Sequence, residues 1–175
     1  MASLKKGINY WCFPGSFAGE VDPVAAIRWA KQYGYEVLEL CIGDPGYPLA
    51  TDSPASLLQE LVKVADGEGV GLPSVASGLY WARSVGDIDP AVRAAAKDDL
   101  KRSIDITHGL GAKALLTIPG AVDVFFLPDR PVQPQVEVMK YAKEGIAELL
   151  PHAEAAGVTL AIENVWNKLF MTSTE

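Results

Sequence analysis

Two hydrophobic periods take turns along the chain. Short apolar runs at 7–13, 37–42, 72–76, 114–118 and 158–162 have the length and continuity of strands covered on both faces. The stretches between them repeat apolar residues at helical spacing, as in Leu57, Leu58, Leu61, Val62 and Ala65. Three of these stretches open on the same device, a short polar residue followed by proline: Asp22-Pro23, Ser53-Pro54 and Asp89-Pro90. A polar N-cap with proline in the first helical position starts a helix without losing a hydrogen bond. Glycines at 34, 67–69, 111 and 157 stop them. The predicted helices therefore cover 23–33, 54–67, 90–110 and 134–156. The loop 43–46 is Gly-Asp-Pro-Gly, 77–89 is a long loop with Tyr80, Trp81 and Arg83, and 121–134 is a loop with three prolines.

The order is β-α four times and then a fifth strand. Crossovers of this kind are right-handed in nearly all cases. Two architectures accommodate them: a five-stranded doubly wound α/β sheet, complete at this length, and a (β/α)8 TIM barrel, which needs about 250 residues. The turn after the first strand, Tyr10-Trp11-Cys12-Phe13-Pro14-Gly15, is bulky where a phosphate-binding sheet would carry glycines. Long aromatic loops follow strands one and three, as they do around a barrel mouth. Residues 168–175 read as the beginning of another strand-to-helix connection. The expected fold is one domain over 1–175, the N-terminal part of a (β/α)8 barrel, truncated to about four and a half units.

Composition narrows the function classes. The chain is 49% hydrophobic and 21% charged, enough for a sizeable core, and its formal net charge is −7. That balance argues against a nucleic-acid surface, which needs clustered Lys and Arg. A small phosphorylated ligand needs only one local cation and stays open. The first six residues are too short and polar for a signal peptide, and no apolar run has membrane-spanning length. Cys12 and Cys41 make no disulfide framework and read as buried thiols. Together these features point to a cytoplasmic protein with no membrane partner.

The last strand ends abruptly in Glu163-Asn164-Val165-Trp166-Asn167-Lys168. Ligands of parallel-strand proteins gather at the carboxyl ends of the strands. Glu163 is therefore the first candidate functional residue; the competing reading is a cap for a following helix. His108 falls in the last turn of the third helix and His152 inside the fourth, so both read as structural.

The run Ile162-Glu163-Asn164-Val165-Trp166-Asn167-Lys168 resembles the strand-five motif of the sugar isomerases and epimerases of the xylose isomerase-like barrel superfamily. Gly7-Ile8-Asn9-Tyr10-Trp11, Val37-Leu38-Glu39-Leu40 and Leu110-Gly111-Ala112-Lys113 resemble the same family. The resemblance implies proton abstraction next to a carbonyl, through an enediolate, on a sugar or sugar phosphate. It implies a divalent cation (Mn²⁺, Mg²⁺, Co²⁺ or Zn²⁺) held by two Glu, one Asp and one His from strands five to eight. Glu163 matches the first of these ligands and is expected to serve catalysis as well. The other three are expected outside this chain, so these residues alone are expected to be inactive. The full-length form is expected to be a homo-oligomer.

Within that resemblance, Asn164, Trp166 and Asn167 either meet sugar hydroxyls and the ring face or cap and fill the base of the next helix. Lys168 either meets a phosphate or is solvated. Glu39, near the end of strand two, either enters the mouth or faces the helices beside a Lys. By strand alternation Asn9 and Trp11 share one side, Tyr10 and Cys12 the other, and the first pair is taken to line the mouth rather than merely pack. Tyr80, Trp81 and Arg83 form either a lid over the sugar or a subunit contact. Alternatives within and beyond the superfamily are a dehydratase, a metal-dependent endonuclease, and a non-catalytic sugar-binding or regulatory domain. The endonuclease branch needs His at the ends of strands three and four, where this chain reads Ser74-Val75-Ala76-Ser77 and Thr117-Ile118-Pro119-Gly120.

Overall fold

The apolar runs pair side by side in the order in which they occur. In the computed structural model, which describes residues 4–172, five parallel strands form one sheet of order β1-β2-β3-β4-β5. They are β1 (Gly7–Asn9), β2 (Val37–Ile42), β3 (Ser74–Ser77), β4 (Ala114–Thr117) and β5 (Thr159–Ile162). Helices α1 (Pro23–Gln32), α2 (Ala55–Glu68), α4 (Pro90–Gly109) and α5 (Gln135–Ala156) make the crossovers, and α3 (Leu79–Ala82) is a single turn between β3 and α4. A doubly wound sheet reverses its strand order part-way. Strictly consecutive order is the wrap of a barrel wall.

Two of the three predicted caps form; at α2 the N-cap is Pro54, with no side-chain bond, and Ser53 Oγ instead accepts from the Ala50 N–H at 2.8 Å. Asp22 Oδ1 accepts from the Val24 N–H and Asp89 Oδ1 from the Ala91 N–H, each at 2.8 Å. Gly69 and Gly157 close α2 and α5 in the left-handed region, at φ 69° and 66°. The core lies between the outer face of the sheet and the helices. Leu38, Leu40, Val75 and Leu115 from the strands meet Ile27, Leu61, Leu100 and Ile104 from α1, α2 and α4, all of them at 0–1% exposure. Each such side chain contributes about 1.5–3 kcal/mol by leaving water.

The first strand departs from the sequence reading. It stops at Asn9, because the Asn9 side chain takes the Trp11 N–H at 2.7 Å and the chain coils into a 3₁₀ turn over Tyr10–Cys12. A local side-chain bond competes here with the sheet ladder and wins. The alternation expected over 7–13 fails with it. Tyr10 is buried, with its hydroxyl on the Val21 carbonyl, whereas Cys12 is exposed. The buried thiol is Cys41 alone. Residues 173–175 of the expected next connection lie outside the described residues.

Among the described residues β1 and β5 each pair on one side only. β5 is open on its faces too: Ile162 is 47% exposed and sits in an apolar depression with Pro119, Met139, Ala142, Ile146 and Phe170. An open apolar strand is a template for another chain. The 175-residue chain prepared alone is expected to self-associate, with an apparent mass in light scattering that rises with concentration. A sharp monomer peak at high concentration would contradict this.

Candidate functional site

Because all five strands run the same way, their carboxyl ends and the loops that follow them share one rim. Glu163 is the first residue beyond β5. Its N–H donates to the Thr117 carbonyl at 3.0 Å and continues the ladder. Ile162 faces the helix side, in the depression against α5. Alternation then turns Glu163 to the inner face of the sheet. The residue is exposed, and among the described residues its carboxylate takes part in no hydrogen bond or ion pair.

A polar ladder lies deeper on the same inner face. Asn9 pairs with Glu39 across β1 and β2, and Leu40 with Val75 across β2 and β3, so Asn9, Glu39 and Ser74 stand side by side. The Glu39 carboxylate is held at both oxygens, by Asn9 Nδ2 at 2.7 Å and by Ser74 Oγ at 2.6 Å. Glu39 thus points inward, away from any helix-side Lys. It is the third of six residues in β2 rather than near its end, and it lies below the rim. Cys41 donates its thiol to Asn9 Oδ1 at 3.7 Å. Burial pushes the Cys41 thiol well above its usual range, and the Glu39 charge pushes it further. Sequence reading passed over Ser74, whose role depends on a neighbour 35 residues away.

The loops carry an aromatic cluster. Trp81 and Trp166 are near-parallel, 17° apart with ring centres at 6.0 Å, and Phe126 meets Trp81 edge-on at 5.2 Å. Trp11, half-buried, stacks on Phe17 at 5.4 Å. Asn164 is exposed next to Glu163. Tyr80 is a strut, not part of a lid: it is buried, donates to the Leu116 carbonyl at 2.8 Å, and burial raises its pKa. Arg83 ties the loops together through Asp44 and Asp99.

Two further knots hold the rim. Asp87, 5% exposed, accepts at Oδ2 from Arg130 at 2.8 Å and from Gln133 at 2.7 Å, and at Oδ1 from the Asp89 N–H at 2.9 Å. Asn167, 1% exposed, donates to the Gly120 carbonyl at 2.8 Å and accepts from the Leu169 N–H at 3.0 Å. Its side chain is taken up within the loop, and among the described residues no helix follows for it to cap. Lys168 is exposed, and its Nζ lies 2.6 Å from Asp123 Oδ2. His108 and His152 lie on the outer helices, against the Ala156 carbonyl and Asp105 respectively, each at 2.7 Å.

The described residues contain no cluster of three His, Cys, Asp or Glu that could hold a metal ion. Hard divalent ions take about six oxygen ligands. Among the described residues Glu163 offers a single carboxylate at the rim, short of such a set.

Two outcomes follow from this geometry. Native protein is expected to react with a thiol reagent at one cysteine, Cys12, and at both after unfolding; two fast thiols in the folded state would contradict the burial of Cys41. Asp87→Ala leaves the Arg130 charge, 11% exposed, without its partner. A broken buried pair costs about 3–5 kcal/mol, so denaturant melts should show a loss of at least about 2 kcal/mol, discounted for residual solvent.

No curated protein matches the chain. Solved structures match it in fold. A D-psicose 3-epimerase solved with D-fructose has a TM-score of 0.74 at 20% identity, over 95% of this chain and 54% of that one. The D-psicose 3-epimerase of Clostridium cellulolyticum H10, solved with D-tagatose, gives 0.76 at 21% identity, over 93% and 53%. The 3-keto-D-glucoside 4-epimerase of E. coli gives 0.70 at 14%, over 94% and 57%. The chain spans about half the length of these proteins. The family model described as xylose isomerase-like TIM barrel matches residues 27–174. With its consecutive parallel strands and helical crossovers, the chain belongs to the xylose isomerase-like TIM barrel family.

Proposed function

We propose that this chain is the N-terminal portion of a divalent-metal-dependent sugar isomerase or epimerase, and that Glu163 is its first catalytic group. The observation that carries the reading is Glu163 itself, an unengaged carboxylate just past the end of β5, on the inner side of a rim of the epimerase-type fold. A carboxylate in that position can take a proton from the carbon next to a sugar carbonyl. The C–H electron pair moves to form the enediolate, and the proton returns to the other face or to the neighbouring carbon. A bound divalent cation would supply Lewis-acid stabilisation of the oxygen charge. Glu163 is the residue assigned to such an ion, and its other ligands are assigned to segments outside this sequence.

The remaining residues bind and orient. Asn164 and Trp166 stand beside Glu163 and are assigned to the hydroxyls and the ring face of the sugar. Trp81 backs Trp166. Trp11 closes the β1 side of the mouth. Asn9 and Glu39 form a floor below the reacting atoms rather than direct contacts. Asn167 and Lys168 set the course of the β5 loop through Gly120 and Asp123.

The test is exchange of carbon-bound hydrogen with solvent deuterium, on ketoses with Mn²⁺ present. A protein containing these residues within a complete barrel is expected to exchange and epimerise. Glu163→Gln keeps the size of the side chain and removes its basicity, and is expected to lose at least about a hundredfold in rate. The 175-residue chain alone is expected to show no turnover. Full activity of the Gln variant, or turnover by the short chain, would overturn the proposal.

A further inference from the structure

We infer that Arg130 is a positioning residue of the rim: it fixes Trp81 and, through Trp81, sets the indole of Trp166 beside Glu163. The inference rests on the sugar-site reading above and adds to it a residue that acts at a distance from the sugar.

The need for such a residue lies in α3. This helix has four residues, and fixing a single turn costs more than its few hydrogen bonds offset. Its N-cap, Gly78, offers no side-chain bond. The carbonyls of its last turn, that of Trp81 among them, have no partner within the helix. The orientation of Trp81 must therefore be set by its neighbours.

Arg130 meets this need from the connection after β4. Its guanidinium donates from Nη1 to the Trp81 carbonyl and from Nη2 to Asp87 Oδ2, the latter at 2.8 Å. A planar fork can serve two partners in fixed directions, which an ammonium does not. Asp87 is itself pinned by Gln133 and by the Asp89 N–H, so the guanidinium is braced on its far side. The backbone N–H of Arg130 donates to the Leu127 carbonyl at 2.9 Å and folds the tip of this connection back on itself. Phe126, in the same tip, meets the Trp81 ring edge-on at 5.2 Å. One connection thus holds Trp81 at both ends, by its carbonyl and by its ring.

Trp166 depends on Trp81 in turn. It is 67% exposed, and Trp81 is the ring on which it stacks. An aromatic pair is worth about two- to tenfold in an equilibrium constant. That is enough to favour one placement of an exposed indole, and it vanishes once the second ring is out of place. Arg130 therefore reaches the sugar face of the rim through two steps, Trp81 and then Trp166.

Stacked indoles couple their electronic transitions. The dilute 175-residue chain is expected to show an exciton couplet in far-ultraviolet circular dichroism that both Trp81→Phe and Trp166→Phe remove. Arg130→Lys keeps a cation opposite Asp87 but cannot fork to the Trp81 carbonyl as well. It is expected to fold and to lose at least about half of the couplet. Arg93→Met is the control, because Arg93 braces the same segment through the Asp87 and Ile88 carbonyls rather than through α3. It is expected to lose stability in melts and to keep the couplet. In a complete barrel protein, Arg130→Lys is expected to raise KM for the sugar about three- to tenfold with kcat nearly unchanged, the pattern of a lost contact that ground and transition states share. An unchanged couplet in Arg130→Lys overturns the inference, as does an equal loss in Arg93→Met or a couplet that the two tryptophans do not share. Collapse of the fold in Arg130→Lys overturns it too, since Arg130 would then be a general support. So does a KM that stays put while sugar is turned over. The two proposals fail separately. A complete barrel protein with the expected couplet but no turnover of any sugar sinks the catalytic reading and leaves the positioning role standing. Turnover with a couplet indifferent to Arg130 sinks this inference alone.

Discussion

The parallel, strictly consecutive pairing of five short strands is the constraint on which everything else in this molecule depends. Each strand must be reached by a helix that runs back along the outside, so every chain reversal of one type falls at one end. That end collects the side chains of five loops, although their residues are separated by up to about a hundred and fifty positions in sequence. The opposite end is left to short turns closed by glycines at φ near 70°. Chemistry and stability are thereby separated in space: the helix-facing core contains Leu, Ile and Val, and the polar groups with free valences stand on the rim.

The rim is held by three side-chain knots rather than by secondary structure. Arg83 bridges the β2 loop and α4, Asp87 gathers Arg130 and Gln133, and Asn167 joins the β4 and β5 loops. Each knot contains at least one group that is largely removed from water, where a charge or an amide without a partner is expensive. Satisfying these groups fixes the loops, and the fixed loops aim the tryptophans. Tyr80 does similar work from below, its phenol bonded to the β4 backbone.

Much of this was legible in the sequence, for identifiable reasons. The strand and helix order could be read because the strands are continuous apolar runs, the crossover helices open at prolines, two of them after a capping Asp, and each is followed by a Gly. What escaped depends on register or on single side chains. The Asn9 bond to Trp11 bends the chain where propensity favours extension. The Asn9–Glu39–Ser74 ladder exists only once three strands are aligned, so alternation in one strand could not reveal it. Asp87 gives no signal in the sequence, since a buried Asp in a loop looks like any solvated one until its Arg is found. Asn167 shows the opposite difficulty: the same amide suits a sugar hydroxyl or a loop carbonyl, and only its burial separates the two.

The stitching of the β4 and β5 loops reaches beyond local order. The backbone carbonyl of Asn167 accepts from the N–H groups of both Val122 and Asp123, at 3.0 Å and 3.1 Å, while its side chain spans Gly120 and Leu169. An insertion or deletion in either segment would slide these partners out of step, so neither can change length without the other. The connections after β1 and β2 are coupled to each other in the same way, the Tyr47 hydroxyl donating to the Ser16 carbonyl at 2.5 Å, so this mouth changes length in pairs of loops rather than one loop at a time.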